Sequence, residues 1–256
     1  MGKKNHIKCI LVLLMALCFF ERSLVSAQVH DTTSAPVKWH QKTVVKTLKI
    51  PLALTATGLL ISTDNNVLTK YDIQSKVREQ YPDFSSSLDD YLRYVPPAAV
   101  FIMDPLGNKA KNSLKDRSLL FLKANLFAMA VTFPAKGITR VRRPDGSSSA
   151  SMPSLHTAQA FLGAQFLHRE YGHKSIWYSV AGYSMATVTG AYRILNDKHW
   201  APDVLIGAAV GILSTEISYL THVFGRKKKR RNRSTALLLP AASSDYVGAT
   251  FSLQFK

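Results

Sequence analysis

Six apolar stretches, separated by short polar segments, dominate the middle of the chain. They are rich in Ala and Leu and show little strict alternation, which favours helices over strands. They run from Ile50 to Ser62, Tyr94 to Met103, Leu119 to Ala135, Thr157 to Leu167, Ser175 to Tyr192 and Val204 to Phe224. The pattern therefore predicts an all-α fold, a helical bundle of about six apolar helices.

Charged and polar segments flank this bundle, beginning with a short polar N-terminal lead-in at residues 28–46. Residues 64–93 lie between the first two apolar stretches and are expected to hold a short helix. Arg226 to Arg233 (RKKKRRNR) follows the last stretch directly, a charge run that fits either a positive-inside anchor or a solvated surface. Beyond it, Tyr246 to Phe255 alternates apolar and polar residues, which predicts a strand.

The start of the chain has the pattern of a secretory signal. Basic residues precede an apolar run from Cys9 to Phe20, and residues 25–27 (Val-Ser-Ala) form a small-residue cleavage site. We therefore expect an exported protein with a signal peptide at residues 1–27, a domain at residues 28–225 and a basic tail at residues 226–256. An uncleaved anchor helix is the alternative.

Composition narrows the classes of function. The 256 residues carry 33 Lys and Arg against 16 Asp and Glu, a formal net charge of +17, so anionic partners are expected. Apolar residues make up 46% of the chain, which excludes an intrinsically disordered protein. Export argues against nucleic acid as the partner and leaves anionic membrane surfaces and phosphorylated substrates.

The lengths of the apolar stretches leave the number of membrane spans open. A span needs about 20 apolar residues, and only Ser175 to Tyr192 comes near that length. Lys123 interrupts the third stretch and Glu216 the sixth. A buried bundle is one interpretation. We favour a bundle in or against a membrane, because an exported basic chain meets an anionic surface there.

Polar residues at the ends of the apolar stretches form the candidate site. Lys, Arg and a helix N-cap are groups that grip phosphate oxygens. An Asp in the first turn of a helix can orient a nearby imidazole and leave its other nitrogen free to attack, while a second His protonates a departing alcohol. The set is Lys136, Arg143, Ser154, His156, Arg193, His199 and Asp203.

The order and spacing of these residues resemble the type 2 phosphatidic acid phosphatases, or PAP2 superfamily, which is also called the acid phosphatase and vanadium haloperoxidase superfamily. Its pattern is K-x6-R-P, P-S-G-H and S-R-x5-H-x3-D. The matching residues are Lys136 with Arg143-Pro144, Pro153-Ser154-Leu155-His156, and Tyr192-Arg193 with His199 and Asp203. Leu155 stands where the family has Gly, and Tyr192 where it has Ser.

The resemblance implies a role for each residue. His199 is then the nucleophile that forms a phosphohistidine, oriented by Asp203, and His156 is the acid that releases the alcohol. The residues that bind the phosphoryl oxygens are then Lys136, Arg143, Ser154 and Arg193. No metal and no other cofactor is implied.

Together these features predict a metal-independent lipid phosphatase, membrane-associated in a bacterial cell envelope, with its active site facing the periplasm. Lipid A is the favoured substrate, and undecaprenyl diphosphate and phosphatidylglycerol phosphate are its rivals. A soluble nonspecific acid phosphatase is the alternative enzyme. A catalytically impaired anion- or lipid-binding module is the alternative from another class, because of Leu155 and Tyr192. The oligomeric state stays open.

Overall fold

A computed structural model describes residues 38–63, 69–224, 235–242 and 247–254. These ranges hold eight α-helices and two β-strands. The helices are α1 (Lys38–Ser62), α2 (Lys70–Gln80), α3 (Leu88–Leu92), α4 (Val95–Met103), α5 (Leu114–Thr139), α6 (Leu155–Tyr171), α7 (Ile176–Leu195) and α8 (Ala201–Leu220). The signal-like segment and the basic run at residues 226–233 lie outside the described residues.

All six apolar stretches are helical, which confirms the predicted bundle. They correspond to α1 and to α4 through α8, while the described part of the charged segment forms two short helices, α2 and α3, instead of one. Helix α1 begins at Lys38, so the last nine residues of the predicted polar lead-in are helical. Helix α6 packs against α7 and α8, and α8 also packs against α1 and α5. The core of the bundle therefore lies around α6 and α8.

Helices α6 and α8 lie so close together that two positions of α8 require glycine. A Cβ atom at Gly207 would lie 2.5 Å from the carbonyl oxygen of Ser154, and one at Gly211 would lie 2.1 Å from that of Ala158. One turn further along, Thr215 Oγ1 donates a hydrogen bond to Leu162 O at 3.2 Å. Each of these three contacts joins residues 53 positions apart, so the two helices run parallel and their N-termini lie side by side.

Two of the described helices, α5 and α8, are long and apolar enough to cross a membrane by length and composition. Helix α7, which the sequence favoured, is not among them, because Ser, Thr and Tyr interrupt its apolar residues. Helix α5 exposes an apolar stripe with a spacing of three and four residues. Its members are Leu119, Leu122, Leu126, Met129 and Phe133, each at least 39% exposed.

The C-terminal part of the chain is a separate unit that begins at Val223. In it, β1 (Thr235–Ala242) pairs antiparallel with β2 (Val247–Gln254). Strand β2 falls on the segment whose alternation predicts a strand. Strand β1 has no such alternation, since it contains three consecutive leucines, and the sequence pattern did not identify it.

Candidate active site

The structure places the seven predicted site residues around the end of the bundle where α6 and α8 begin. Two of them start α6, and one lies in the first turn of α8. Two others lie in the last turns of α5 and α7, and the remaining two lie in the loops between helices. In the order of this description they are Ser154, His156, Asp203, Lys136, Arg193, Arg143 and His199.

His199 is buried, with 1% of its surface exposed, and its position depends on the end of α7. Its backbone N–H donates to Arg193 O at 3.1 Å, so the loop curls back over that helix end. The distance from His199 Nδ1 to Asp203 Oδ2 is 3.7 Å, longer than a hydrogen bond. The predicted orientation of His199 by Asp203 is therefore not a direct hydrogen bond.

Ser151 bridges the gap between these two side chains. Its hydroxyl lies 3.3 Å from His199 Nδ1 and donates to Asp203 Oδ2 at 2.5 Å. Sequence reasoning missed Ser151 because it ends a serine-rich loop, where no spacing distinguishes it from the serines before it. The structure distinguishes it by burial, since its surface is fully enclosed.

Lys136 supports the loop that carries Ser151. Its ammonium group donates to Ala150 O at 2.6 Å and to Ser151 O at 3.3 Å. These carbonyl contacts hold the positive charge at the end of α5, next to the start of α6. Lys136 thus positions the serine bridge as well as supplying a cation.

Two arginines hold donors suited to an anion. Arg193 Nη1 pairs with Asp89 Oδ2 at 2.8 Å, and both side chains are buried. The Nε atoms of Arg193 and Arg143 are buried and have no hydrogen-bond partner among the described residues. Because buried donors without partners are unfavourable, these two Nε atoms favour an anion such as a phosphoryl group as a partner. Asp89 comes from α3 and was not predicted.

The first turn of α6 completes the site. Ser154 is the N-cap, as predicted, and accepts a hydrogen bond from Thr157 N at 3.4 Å. His156 Nε2 lies 2.8 Å from Asp90 Oδ1, another contact from α3 that the sequence did not reveal. Burial lowers the pKa of His156 to about 4, with the positive charges of Arg193 and Arg93 acting in the same direction and Asp90 opposing them.

The pKa of His199 is also lowered. Burial is the main cause, and Asp203 opposes it. The lowered pKa values favour the neutral form of both imidazoles, His156 and His199, at neutral pH before an anion binds. A neutral imidazole has the lone pair that a nucleophile needs. A bound phosphate would bring negative charge to His156 and favour its protonated form, which is the form that an acid needs.

The two departures from the family pattern are accommodated in the structure. Leu155 is the first residue of α6 and is half-buried. The ring of Tyr192 packs edge to face on Phe84, with 5.3 Å between ring centroids. The larger side chain therefore ties α7 to the segment between α2 and α3.

Residues 117–227 match the sequence model of the PAP2 superfamily. A protein of Porphyromonas gingivalis named lipid A 1-phosphatase is 37% identical over 186 residues, which cover 71% of this chain and 40% of that protein. A Helicobacter pylori protein named lipid A 4'-phosphatase is 26% identical over 199 residues, 75% of this chain and 92% of that protein. The crystal structure of Aquifex aeolicus LpxE aligns with a TM-score of 0.44 and 20% identity, over 57% of this chain and 93% of that chain.

All three motifs lie inside the region that matches the PAP2 superfamily, which confirms the predicted resemblance. The curated relatives it matches are phosphatases of a lipid by name. The chain spans about 40% of the length of the Porphyromonas gingivalis protein.

Ser151→Ala tests the bridge between His199 and Asp203. Without the hydroxyl, Asp203 no longer restrains the imidazole, and we expect kcat for phosphate release from a lipid phosphate to fall about 10- to 100-fold, the scale of a misplaced reacting group. Ser149→Ala, at an exposed position of the same loop, is the matched control and should keep the wild-type rate. Wild-type kcat in both variants would show that the bridge has no catalytic role.

Proposed function

We propose that this chain is a lipid phosphatase that removes a phosphate group from lipid A in a bacterial cell envelope through a phosphohistidine intermediate. The observation that carries the proposal is the buried His199, whose Nδ1 faces Ser151 and Asp203 beside cations with unpaired donors. The names of the two relatives support lipid A over undecaprenyl diphosphate and phosphatidylglycerol phosphate.

In the first step, His199 attacks phosphorus through Nε2, because Nδ1 faces Ser151. The N–P bond forms while the P–O bond to the lipid breaks, and His156 gives its proton to the departing oxygen. The charge that develops on the phosphoryl oxygens is stabilised by preorganised donors. These donors are Lys136, Arg143, Arg193 and the backbone N–H groups that follow Ser154.

In the second step, water replaces the imidazole. His156, now neutral, accepts a proton from the water as its oxygen attacks phosphorus, and the N–P bond breaks to release phosphate and restore His199. Water is the only other reactant. The Asp89–Arg193 pair keeps the guanidinium in place through both steps, because one of its nitrogens is anchored while Nε stays available.

The surface of α5 supports a membrane-bound substrate. Its exposed apolar stripe runs along a helix long enough to cross a bilayer, and burying such a stripe in lipid removes it from water. Lys136 lies in the last turn of that helix. A phosphorylated lipid would then present its headgroup at the membrane surface, where the site lies.

The charge distribution along α8 supports a periplasmic site. Helix α8 begins at the site with Asp203 and ends at Leu220, and seven Lys and Arg residues follow within residues 226–233. By the positive-inside rule this end faces the cytoplasm, which leaves the site on the other side.

The direction of α1 bears on the signal-like segment. Gly58, near the end of α1, lies against Ile206 in the first turns of α8, so α1 runs toward the site. If α1 crosses the membrane, the chain before Lys38 lies on the cytoplasmic side. A signal cleaved after Ala27 is compatible with a periplasmic site only if α1 does not cross.

His199→Ala tests the reaction. We expect it to lower phosphate release from lipid A in detergent micelles by at least about 1000-fold, because no other group replaces the nucleophile. His173→Ala removes an exposed histidine far from the site and should leave the rate unchanged. Residual activity within tenfold of wild type would overturn the nucleophile, and activity only on small soluble esters would favour a nonspecific acid phosphatase.

Asp90→Asn tests His156 as the acid. Release of the alcohol needs protonated His156, so kcat falls as pH rises through the pKa of His156 in the substrate complex. The Asp90 carboxylate raises that pKa, and its removal should move the alkaline limb of the kcat–pH profile to lower pH. Asp83→Asn, at an exposed position, is the control. A limb that stays in place or moves to higher pH would contradict the assignment.

Cysteine labelling tests the orientation. In a background with Cys9→Ser and Cys18→Ser, a membrane-impermeant maleimide added to intact cells with a permeable outer membrane should label Lys198→Cys, at the site end, and not Lys111→Cys, beyond the opposite end. Both positions are accessible, since the Lys198 side chain is 42% exposed and Lys111 is exposed. The reverse labelling pattern would place the site in the cytoplasm.

A further inference from the structure

A cavity of about 590 Å³ opens beside the candidate active site, between α2 and the loops that carry Arg143 and His199. It is open to solvent, and its volume is in the range of small-molecule sites. It is adjacent to the chemistry, because Trp200 follows His199 directly and Pro144 follows Arg143. The main lining residues are Tyr71, Gln74, Arg78, Asp145, Asp197 and Trp200.

One lining side chain has an unused buried acceptor. Gln74 is 7% exposed, and its amide nitrogen donates to Ile194 O at 3.2 Å and to Asp197 Oδ1. Its carbonyl oxygen, Oε1, is buried and has no hydrogen-bond partner among the described residues. A buried acceptor without a donor is unfavourable, so the cavity suits a ligand that brings a hydroxyl or an amide N–H.

The charged residues that line the cavity, Arg78, Asp145 and Asp197, are all in ion pairs. Arg78 Nε lies 2.5 Å from Asp197 Oδ2, and Lys198 Nζ lies 2.8 Å from Asp145 Oδ2. A second phosphate would find no free cation among these pairs, and the nearby Lys70 ammonium lies over the rings of Tyr71 and Trp200, 5.0 and 5.3 Å from their centroids. Carboxylate oxygens keep further lone pairs, so these pairs can still accept hydrogen bonds from a neutral group rich in hydroxyls.

Aromatic rings complete the lining. Tyr71 and Trp200 meet edge to face with 5.2 Å between ring centroids, and Trp200 Nε1 donates to Arg142 O at 2.7 Å, which fixes the indole. A pyranose ring has apolar C–H faces and a polar edge. A cavity that combines flat apolar rings with planar carboxylate and amide groups offers a partner to each.

We propose that this cavity binds the sugar to which the scissile phosphate is attached, and so selects phosphorylated amino-sugar lipids over lipids without a sugar. The inference rests on the proposed function and assigns a binding place to the sugar of its substrate. A hexosamine supplies hydroxyl and amide N–H donors for Gln74 Oε1, which has no hydrogen-bond partner among the described residues. Glycerol phosphate and polyprenyl phosphate headgroups have no sugar ring to pack against Tyr71 and Trp200.

The test compares kcat/KM for lipid A and for phosphatidic acid in the same detergent micelles. Gln74→Leu removes the acceptor, and Tyr71→Ala removes a ring that is 55% exposed and therefore not needed for the core. In both variants the ratio of lipid A to phosphatidic acid should fall at least about tenfold, because a site built for substrate hydroxyls loses its preference when a partner is removed. Gln80→Leu, an exposed position at the end of α2, should keep the wild-type ratio.

A soluble substrate tests whether the cavity serves a sugar that is linked to a lipid or a free sugar phosphate. N-acetylglucosamine 1-phosphate should be hydrolysed with a much lower kcat/KM than lipid A. An equal or higher value would mean that the cavity serves soluble sugar phosphates and would overturn the assignment to a lipid headgroup.

Two further outcomes separate the inference from the function on which it rests. An unchanged ratio in Tyr71→Ala, with both lipids hydrolysed, would overturn the sugar subsite and leave the phosphatase intact. Failure of the wild-type protein to release phosphate from any of the three substrates would overturn the proposed function itself. Retention of the ratio in Gln80→Leu with its loss in Tyr71→Ala would support the inference even if Gln74→Leu does not fold.

Discussion

The close approach of α6 and α8 is the constraint on which the site depends. The two glycines of α8 let its backbone reach the carbonyl oxygens of Ser154 and Ala158, distances that any side chain would prevent. The same approach allows Ser154 N to donate to Asp203 O at 3.0 Å. The N-cap of one helix is thereby fixed to the first turn of the other. Without this contact, the N-terminus of α6 and the Asp203 carboxylate, which Ser151 links to His199, would have no fixed relative position.

Burial at this junction explains how one set of residues holds cations and neutral imidazoles together. Desolvation and the neighbouring positive charges disfavour imidazolium at His156 and His199. Arginine stays charged under the same conditions, but a buried arginine needs a partner. Asp89 provides that partner for Arg193 and leaves Nε unpaired. The site thus holds cationic donors next to histidines whose imidazolium form is disfavoured.

The bundle and the seven motif residues could be predicted from the sequence, because a helix and a short motif each depend on residues that are close together in the chain. An apolar stretch reveals a helix, and a Ser or Asp at a helix start reveals a cap. Ser151, Asp89 and Asp90 were not predicted, because their contacts with the motif residues join parts of the chain that are 48 to 104 positions apart. Nothing in a serine-rich loop or in an Asp-Asp pair shows which side chain will be buried against which partner. The 3.7 Å gap between His199 and Asp203 likewise follows from packing, although their spacing of four residues was visible.

The segment before the family match has its own part in the site. The PAP2 match begins at residue 117, yet α3 supplies Asp89 and Asp90, and α2 supplies Gln74 and Tyr71. The seven motif residues, in contrast, all lie inside the matched region. The α2–α3 segment contacts the site through Asp89 and Asp90, and it is joined to α7 through Phe84 and Tyr192. Tyr192 therefore has a physical reason to differ from the family's Ser, because a small side chain at that position would leave Phe84 without its aromatic partner and loosen the segment that forms the wall of the cavity.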